Sequence, residues 1–335
     1  MDSPVEIERI LIERYELEAK SVTGLAGGAD ADSLVYRVDT ADRRAHVLKL
    51  RTKRSFRTAS LLVPAYLREL GIEEALGPVR TAGGELFVDL PGSVLVLYPW
   101  LDARTVAEAG LDLQSWNELG RTVRSIHEAT LASEVRESLG TESFVPSRRE
   151  FLGDSGEQPL LLANGQKPVE LEELFVAKRD VIRALLDYVD AVGEELRERR
   201  APHVLCHADL HGWNLLVDGK GKWWIIDWDE VVLAPKERDL MFVMKGIGRG
   251  LVKPKETEAF LAGYGDPLVD EELLSYYRCA WAVQDIAAYA EEALSANVAA
   301  SRASALQALR SLFAPGNIVD IAMKGVAGPA DRMQR

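Results

Sequence analysis

The sequence is short of several things at once, and each shortage excludes a class of protein. Only two of its 335 residues are cysteine, Cys206 and Cys279, and no C-x-x-C pair occurs, so neither a disulfide framework nor a thiolate zinc or redox site is written here. No apolar run approaches the ~18 residues that a membrane span needs. Positive charge is in deficit: 40 Lys and Arg against 53 Asp and Glu leave a formal net charge of −13. Such a surface repels nucleic acid and anionic lipid and draws in cationic small molecules. No internal repeat or low-complexity tract is visible, which excludes solenoids and arrays. The opening MDSPVEIERILIERY is acidic and amphipathic, unlike a secretory leader. These absences predict a soluble protein of a reducing, cytoplasmic compartment.

What is present is the composition of a globular protein, 47% hydrophobic and 28% charged. At one domain per ~150 residues, the length suggests two domains or one large lobed unit. A helix is predicted from Pro4, with Val5, Ile7, Ile10, Leu11 and Tyr15 on its apolar side. LVYRVDT (34–40) and AHVLKLR (45–51) flank the polar turn ADRR and read as a hairpin. A helical stretch over 55–70 is interrupted by Pro64, and strands ELFVDL (85–90) and VLVLYP (94–99) meet at Pro91-Gly92. After Trp100 the character becomes helical, with 3.6-residue periodicity over 111–131 and a long amphipathic helix over 170–200 that is acidic at its start and basic at its end. The fold class predicted is therefore α+β and bilobal: a small β-rich N-terminal lobe, 1–97, and a large helical C-terminal lobe, 98–335, joined by a connector near 97–101. A cleft between lobes is the default ligand site.

The densest polar cluster in an apolar setting is His207-Ala208-Asp209-Leu210-His211-Gly212-Trp213-Asn214, between the apolar runs VLC and LLV. Thirteen residues past Asn214, after a short hairpin, lies Asp227 at the end of Trp224-Ile225-Ile226. An Asp, an Asn five residues on, and a second Asp beyond a hairpin form the layout that phosphoryl transfer requires. One carboxylate takes or orients a hydroxyl proton, while an amide oxygen and the other carboxylate hold Mg²⁺ on the phosphates. Lys49, in the strand Val47-Leu48-Lys49-Leu50, faces opposite to Leu48 and Leu50 and would neutralise those phosphates. Gly27-Gly28 would turn between the first two strands and close over them with backbone N–H groups.

On these residues the sequence resembles the aminoglycoside phosphotransferase family, whose fold is similar to that of protein kinases. The H-x-D-x-x-x-x-N and I-I-D-W-D motifs carry the likeness in this order. GGADADSLVYRV, CHADLHGWNLLV, IIDWDEVVLAPKERDLMFV and Asp285-Ile286-Ala287-Ala288-Tyr289 are similar to its spectinomycin phosphotransferase branch, over about residues 20 to 320. The resemblance implies ATP and Mg²⁺ as cofactors and inactivation of a cationic antibiotic by phosphorylation of a hydroxyl. It implies Asp209 as catalytic base, Asn214 and Asp227 as metal ligands, and Lys49 as phosphate clamp. It also implies adenine contacts from the backbone of Leu97, Tyr98 and Trp100, since Pro99 has no N–H to give. Other acceptors of the same fold, such as choline, homoserine or another antibiotic, stay open, as does a nucleotide-binding protein without catalysis.

Three departures from the kinase pattern stand out. No acidic residue lies between Leu50 and Arg68, so the usual helix glutamate that pairs with the strand lysine is missing; Glu69, or Asp227 with the nucleotide, must serve instead. The metal motif reads Asp227-Trp228-Asp229 rather than Asp-Phe-Gly. Only eleven residues separate Asp227 from Asp239, too few for a peptide-docking segment, which disfavours a protein substrate. Asp239 is expected to hold the backbone amides of the catalytic loop or to cap the helix after it, and Cys206 to be a buried, inert thiol. A dicationic acceptor needs acids and aromatic walls. Asp229, Glu230 and Asp285 are the acids expected to bind it, with Trp281 and Tyr289 as walls on a C-terminal helix.

Overall fold

A computed structural model describes residues 4–25, 33–54, 56–154, 168–244, 246–248, 250–265, 267–296 and 298–326. The described residues divide into two compact units that are discontinuous along the chain. Met1–Ser115, Thr122–Gly140 and Asp209–Val231 make the first; Trp116–Arg121, Thr141–Ala208 and Val232–Arg335 make the second.

In the first unit the helix α1, Pro4–Tyr15, precedes strands β1 (Ala19–Gly24), β2 (Ser33–Thr40) and β3 (Ala45–Thr52). The helix α2, Ala59–Glu69, leads to β4 (Val88–Leu90) and β5 (Ser93–Pro99). The five strands form one antiparallel sheet in the order β1-β2-β3-β5-β4. Alternation decides its two faces. Val38, Leu48, Leu50, Leu95 and Leu97 point one way and bury against Ile7, Ile10, Leu11 and Tyr15 of α1. Val94, Val96 and Tyr98 point the other way, toward Leu61 and Ala65 of α2. That helix runs through Pro64 instead of breaking there. Proline removes the one rung to Ser60, and the burial of Leu61, Val63 and Leu67 holds the turns on either side.

A second, three-stranded sheet completes this unit. Leu215–Asp218 lies between Trp223–Ile225 and β6, Ala103–Thr105. The hairpin 215–225 closes where the Asp218 carboxylate accepts from Lys220 and Lys222 N–H at 2.8 and 2.9 Å, with Gly221 at φ 84°. Ile225 is tied to residues 74–76 by two backbone bonds, Ile225 N–H to Glu74 O at 2.8 Å and Leu76 N–H to Ile225 O at 3.0 Å.

The second unit is mainly helical. Its long helix Glu271–Ser295, capped by the Asp270 carboxylate on Glu272 and Leu273 N–H, packs with Val169–Glu198, Glu237–Val243, Ala299–Leu312 and Ile318–Met323. Val204–Cys206 and Val232–Ala234 pair antiparallel within it. No described helix is long and apolar enough to cross a membrane.

Candidate active site

The strand Val204–Cys206 delivers the chain into the loop 207–214, the expected catalytic loop. There Asp239, only 1% exposed, accepts His207 N–H on Oδ2 at 2.9 Å and Ala208 N–H on Oδ1 at 2.6 Å. The bracing role expected of Asp239 is thus the one it plays, from the first turn of the helix Glu237–Val243 rather than as its cap. Ala208 is held at φ 67°, in the left-handed region, and both amide bonds are what offset that strain. Cys206 is buried and desolvation raises its thiol well above the ordinary value, as an inert thiol requires.

Beyond this point Asp209, His211 and Asn214 converge. The Asn214 amide Nδ2 donates to the Asp209 carbonyl at 2.9 Å and to Asp209 Oδ2 at 2.7 Å, while His211 Nε2 lies 3.2 Å from Asp209 Oδ1. The Asp209 carboxylate is therefore fixed at Oδ2 by a neighbour in its own loop. Gly212 lets the loop approach the segment after β6: Ala107 N–H donates to Gly212 O at 2.9 Å, and a Cβ at Gly212 would stand 3.2 Å from that nitrogen. Ile226 N–H donates to Asn214 O at 2.9 Å, which sets Asp227 beside the loop. Asp227, exposed and at φ 61°, is the second left-handed non-glycine residue of the site. With Nδ2 committed to Asp209, Asn214 offers its amide oxygen and Asp227 its carboxylate. This small set of hard oxygens is of the kind that suits Mg²⁺ with several waters retained.

Lys49 opens onto a cavity of about 260 Å³ lined by Val47, Tyr98, Leu101, Leu216, Asp227 and Asp229 among others. Register explains the grouping: Val47 pairs with Tyr98 and Lys49 with Val96, so these side chains share a face. Lys49 Nζ sits 5.8 Å from the centre of the Tyr98 ring. Burial raises the Tyr98 phenol, and the Asp229 and Asp227 carboxylates reinforce the shift. At the connector, Trp100 N–H already donates to Ala45 O at 3.0 Å and Leu97 O already accepts from Val79 N–H at 2.7 Å. Among the described backbone bonds Leu101 N–H donates to none, and Leu101 lines the cavity. Gly27 and Gly28 lie outside the described residues.

The acids expected to bind the acceptor separate into two groups. Asp229 enters the Lys49 cavity and forms an ion pair with Arg51 at 2.6 Å, where the Arg51 side chain is 7% exposed and that of Asp229 34%. Burial alone would raise the Asp229 carboxyl; the Arg51 bond and charge, with Lys49, outweigh it and hold it below the usual range. Glu230 is exposed. Asp285, Trp281 and Tyr289 are brought together on the helix Glu271–Ser295. Asp285 is half-buried, and desolvation, opposed by the nearby Trp281 indole, pushes its carboxyl up to about 7. Trp281 is buried edge-on against Phe242, ring centres 5.0 Å apart. Tyr289 is half-buried, and its phenol is raised by burial and by Asp285.

Residues 21–280 match the family model described as the phosphotransferase enzyme family. The chain belongs to that family. Among solved structures it is similar to a spectinomycin phosphotransferase in complex with ADP and spectinomycin, at 30% identity and TM-score 0.83 over 96% of this chain and 99% of that one. The AMP-bound complex of a spectinomycin phosphotransferase superposes at TM-score 0.80 and 29% identity over 95% of this chain and 98% of that one. Among curated proteins it is similar to a 3-deoxy-D-manno-octulosonic acid kinase of Xanthomonas euvesicatoria pv. vesicatoria, 30% identical over 181 residues, 51% of this chain and 67% of the relative. The protein is a phosphotransferase with the kinase-like α+β fold.

Sequence reasoning missed three residues around Lys49 and Asp229. Arg51 could have been found, because it lies two residues on along β3 and so shares the face of Lys49. Arg57, which donates to the carbonyls of Asp229 at 3.4 Å and Val231 at 3.2 Å, carries no such signal. Nor does Ser60, which α2 presents to the cavity where an acid was sought.

Proposed function

We propose that this chain transfers the γ-phosphoryl group of ATP to a hydroxyl of spectinomycin, inactivating the antibiotic. The acceptor assignment is carried by one observation, the likeness along 96% of the chain to a spectinomycin phosphotransferase. Residues 1–97 are assigned as the nucleotide-binding lobe and 98–335 as the lobe of the catalytic loop and acceptor, with Gly27-Gly28 closing over the phosphates. Lys49 neutralises phosphate oxygens, and the Tyr98–Leu101 stretch borders the adenine. The Trp100 amide is engaged by Ala45, which leaves the Leu101 N–H as donor to the base. Mg²⁺, held by Asn214 and Asp227, supplies charge neutralisation on the phosphates. The acceptor hydroxyl oxygen attacks phosphorus, the bond from phosphorus to the ADP oxygen breaks, and the hydroxyl proton passes to Asp209. Asp285 with Tyr289, and Glu230, are assigned to the acceptor's methylammonium groups, which the net charge of −13 also attracts. Two buried free thiols fit the reducing cytoplasm in which ATP and Mg²⁺ are found.

A second reading, a sugar-acid acceptor, is favoured by the curated kinase relatives. The test is ADP release with ATP and Mg²⁺ across spectinomycin, streptomycin, kanamycin, choline, homoserine and 3-deoxy-D-manno-octulosonic acid. Turnover on spectinomycin is expected, falling at least ~100-fold in Asp209→Ala with nucleotide binding retained. Turnover on the sugar acid alone would establish the second reading. Near-normal turnover of the variant would remove Asp209 from its role.

A further inference from the structure

We infer that Asp229, fixed by Arg51, is the positioning residue that holds Lys49 for the nucleotide, in the place of the missing helix glutamate. The inference rests on the reading of Lys49 as the phosphate-binding lysine. A lysine on a four-carbon stem carries ~2 kcal/mol of rotamer entropy and needs a counter-charge to be held ready. The helix α2 has no acid in its first turn and turns Ser60 toward the cavity, with the Ser60 hydroxyl donating to Arg57 O at 2.8 Å. Its one acid, Glu69, stands at the far end, exposed and paired with Arg80 at 2.8 Å. The acids that line the cavity are Asp227, exposed at a strained turn, and Asp229.

Asp229 has what a positioning group requires. Arg51 and Lys49 are alternate residues on one face of β3, and Asp229 is bonded to the first and lines the same cavity as the second. The Arg51 guanidinium is buried and always charged, so its ion pair with Asp229 is costly to break. Arg51 thus anchors the carboxylate, and Arg57 fastens the following backbone at the Asp229 and Val231 carbonyls.

The test is a double-mutant cycle on ADP affinity in the presence of Mg²⁺, read by calorimetry with Lys49→Ala, Asp229→Asn and the double variant. Each single change is expected to weaken ADP about 10-fold, and the double variant by about the same factor, because Asp229 acts through Lys49. Multiplying losses, about 100-fold in the double variant, would overturn the inference, since a purely structural role adds. A shift in the Mg²⁺ concentration that Asp229→Asn requires would overturn it too, making Asp229 a metal ligand. Should Asp229→Asn lose the fold, Asp229→Glu carries the same cycle with the charge kept on a longer arm, again expected to be without effect once Lys49 is gone. None of these measurements uses an acceptor, so a wrong acceptor leaves them standing. A wild-type chain that binds no ADP would sink the phosphotransferase reading and the inference together.

Discussion

The two faces of strand β3 do opposite work with neighbouring residues. Leu48 and Leu50 enter the core under α1, and His46 is buried on the same strand face, where burial and the nearby Arg44 lower its imidazole. Val47, Lys49 and Arg51 lie on the other face, where Lys49 opens onto the cavity and Arg51 is paired with Asp229. One register step separates a core residue from a site residue. A face can hold charge in a β-rich unit only if the opposite face supplies the burial that holds the sheet together.

The strongest way to break this comparison is on the core face. Leu48 is fully buried, so Leu48→Ala is expected to cost about 3 kcal/mol of stability through lost transfer energy and a residual cavity. Thermal unfolding should show the lower Tm, while ADP affinity of the folded fraction stays near wild type. A variant as stable as wild type would mean that α1 does not depend on this face. One residue along, Lys49→Ala should reverse the pattern. Turnover per KM for ATP is expected to fall about 30-fold, near 2 kcal/mol, with stability within about 0.5 kcal/mol. Equal losses of stability in both variants would erase the distinction between the faces.

Much of this was legible in the sequence because it is local. The hairpin of β2 and β3, the helices at 113–127 and 169–198 and the strand pair around 215–225 follow from periodicity and turn residues that act over a few positions. The region 85–90 reads as a full strand, but only Val88–Leu90 pairs, because Thr81 and Glu85 close a turn in which Thr81 N–H donates to Glu85 O at 2.8 Å. What the sequence hid is long-range. Residues Ala103–Thr105 pair with a strand more than a hundred positions later, and Arg51 meets Asp229 at a separation of 178. Asp209, Asn214 and Asp227 were found by their spacing. The acid proposed to hold Lys49 is not legible in this way, because local reasoning looks for it in the next helix.

The smallest expected effect is the sharpest on that point. Glu69 is the first acid after Lys49 in the chain, and counting along the sequence makes it the natural partner. It is instead 62% exposed and paired with Arg80, itself 48% exposed, and pairs so placed contribute only ~0–1 kcal/mol. Glu69→Gln should therefore change stability by no more than about 0.5 kcal/mol and leave the affinity for ADP unaltered. Calorimetry on this variant beside Asp229→Asn separates position in sequence from position in space. Weaker ADP binding in Glu69→Gln would return the lysine to its helix, and the cavity face of β3 would then owe its order to α2 rather than to the loop after Asp227.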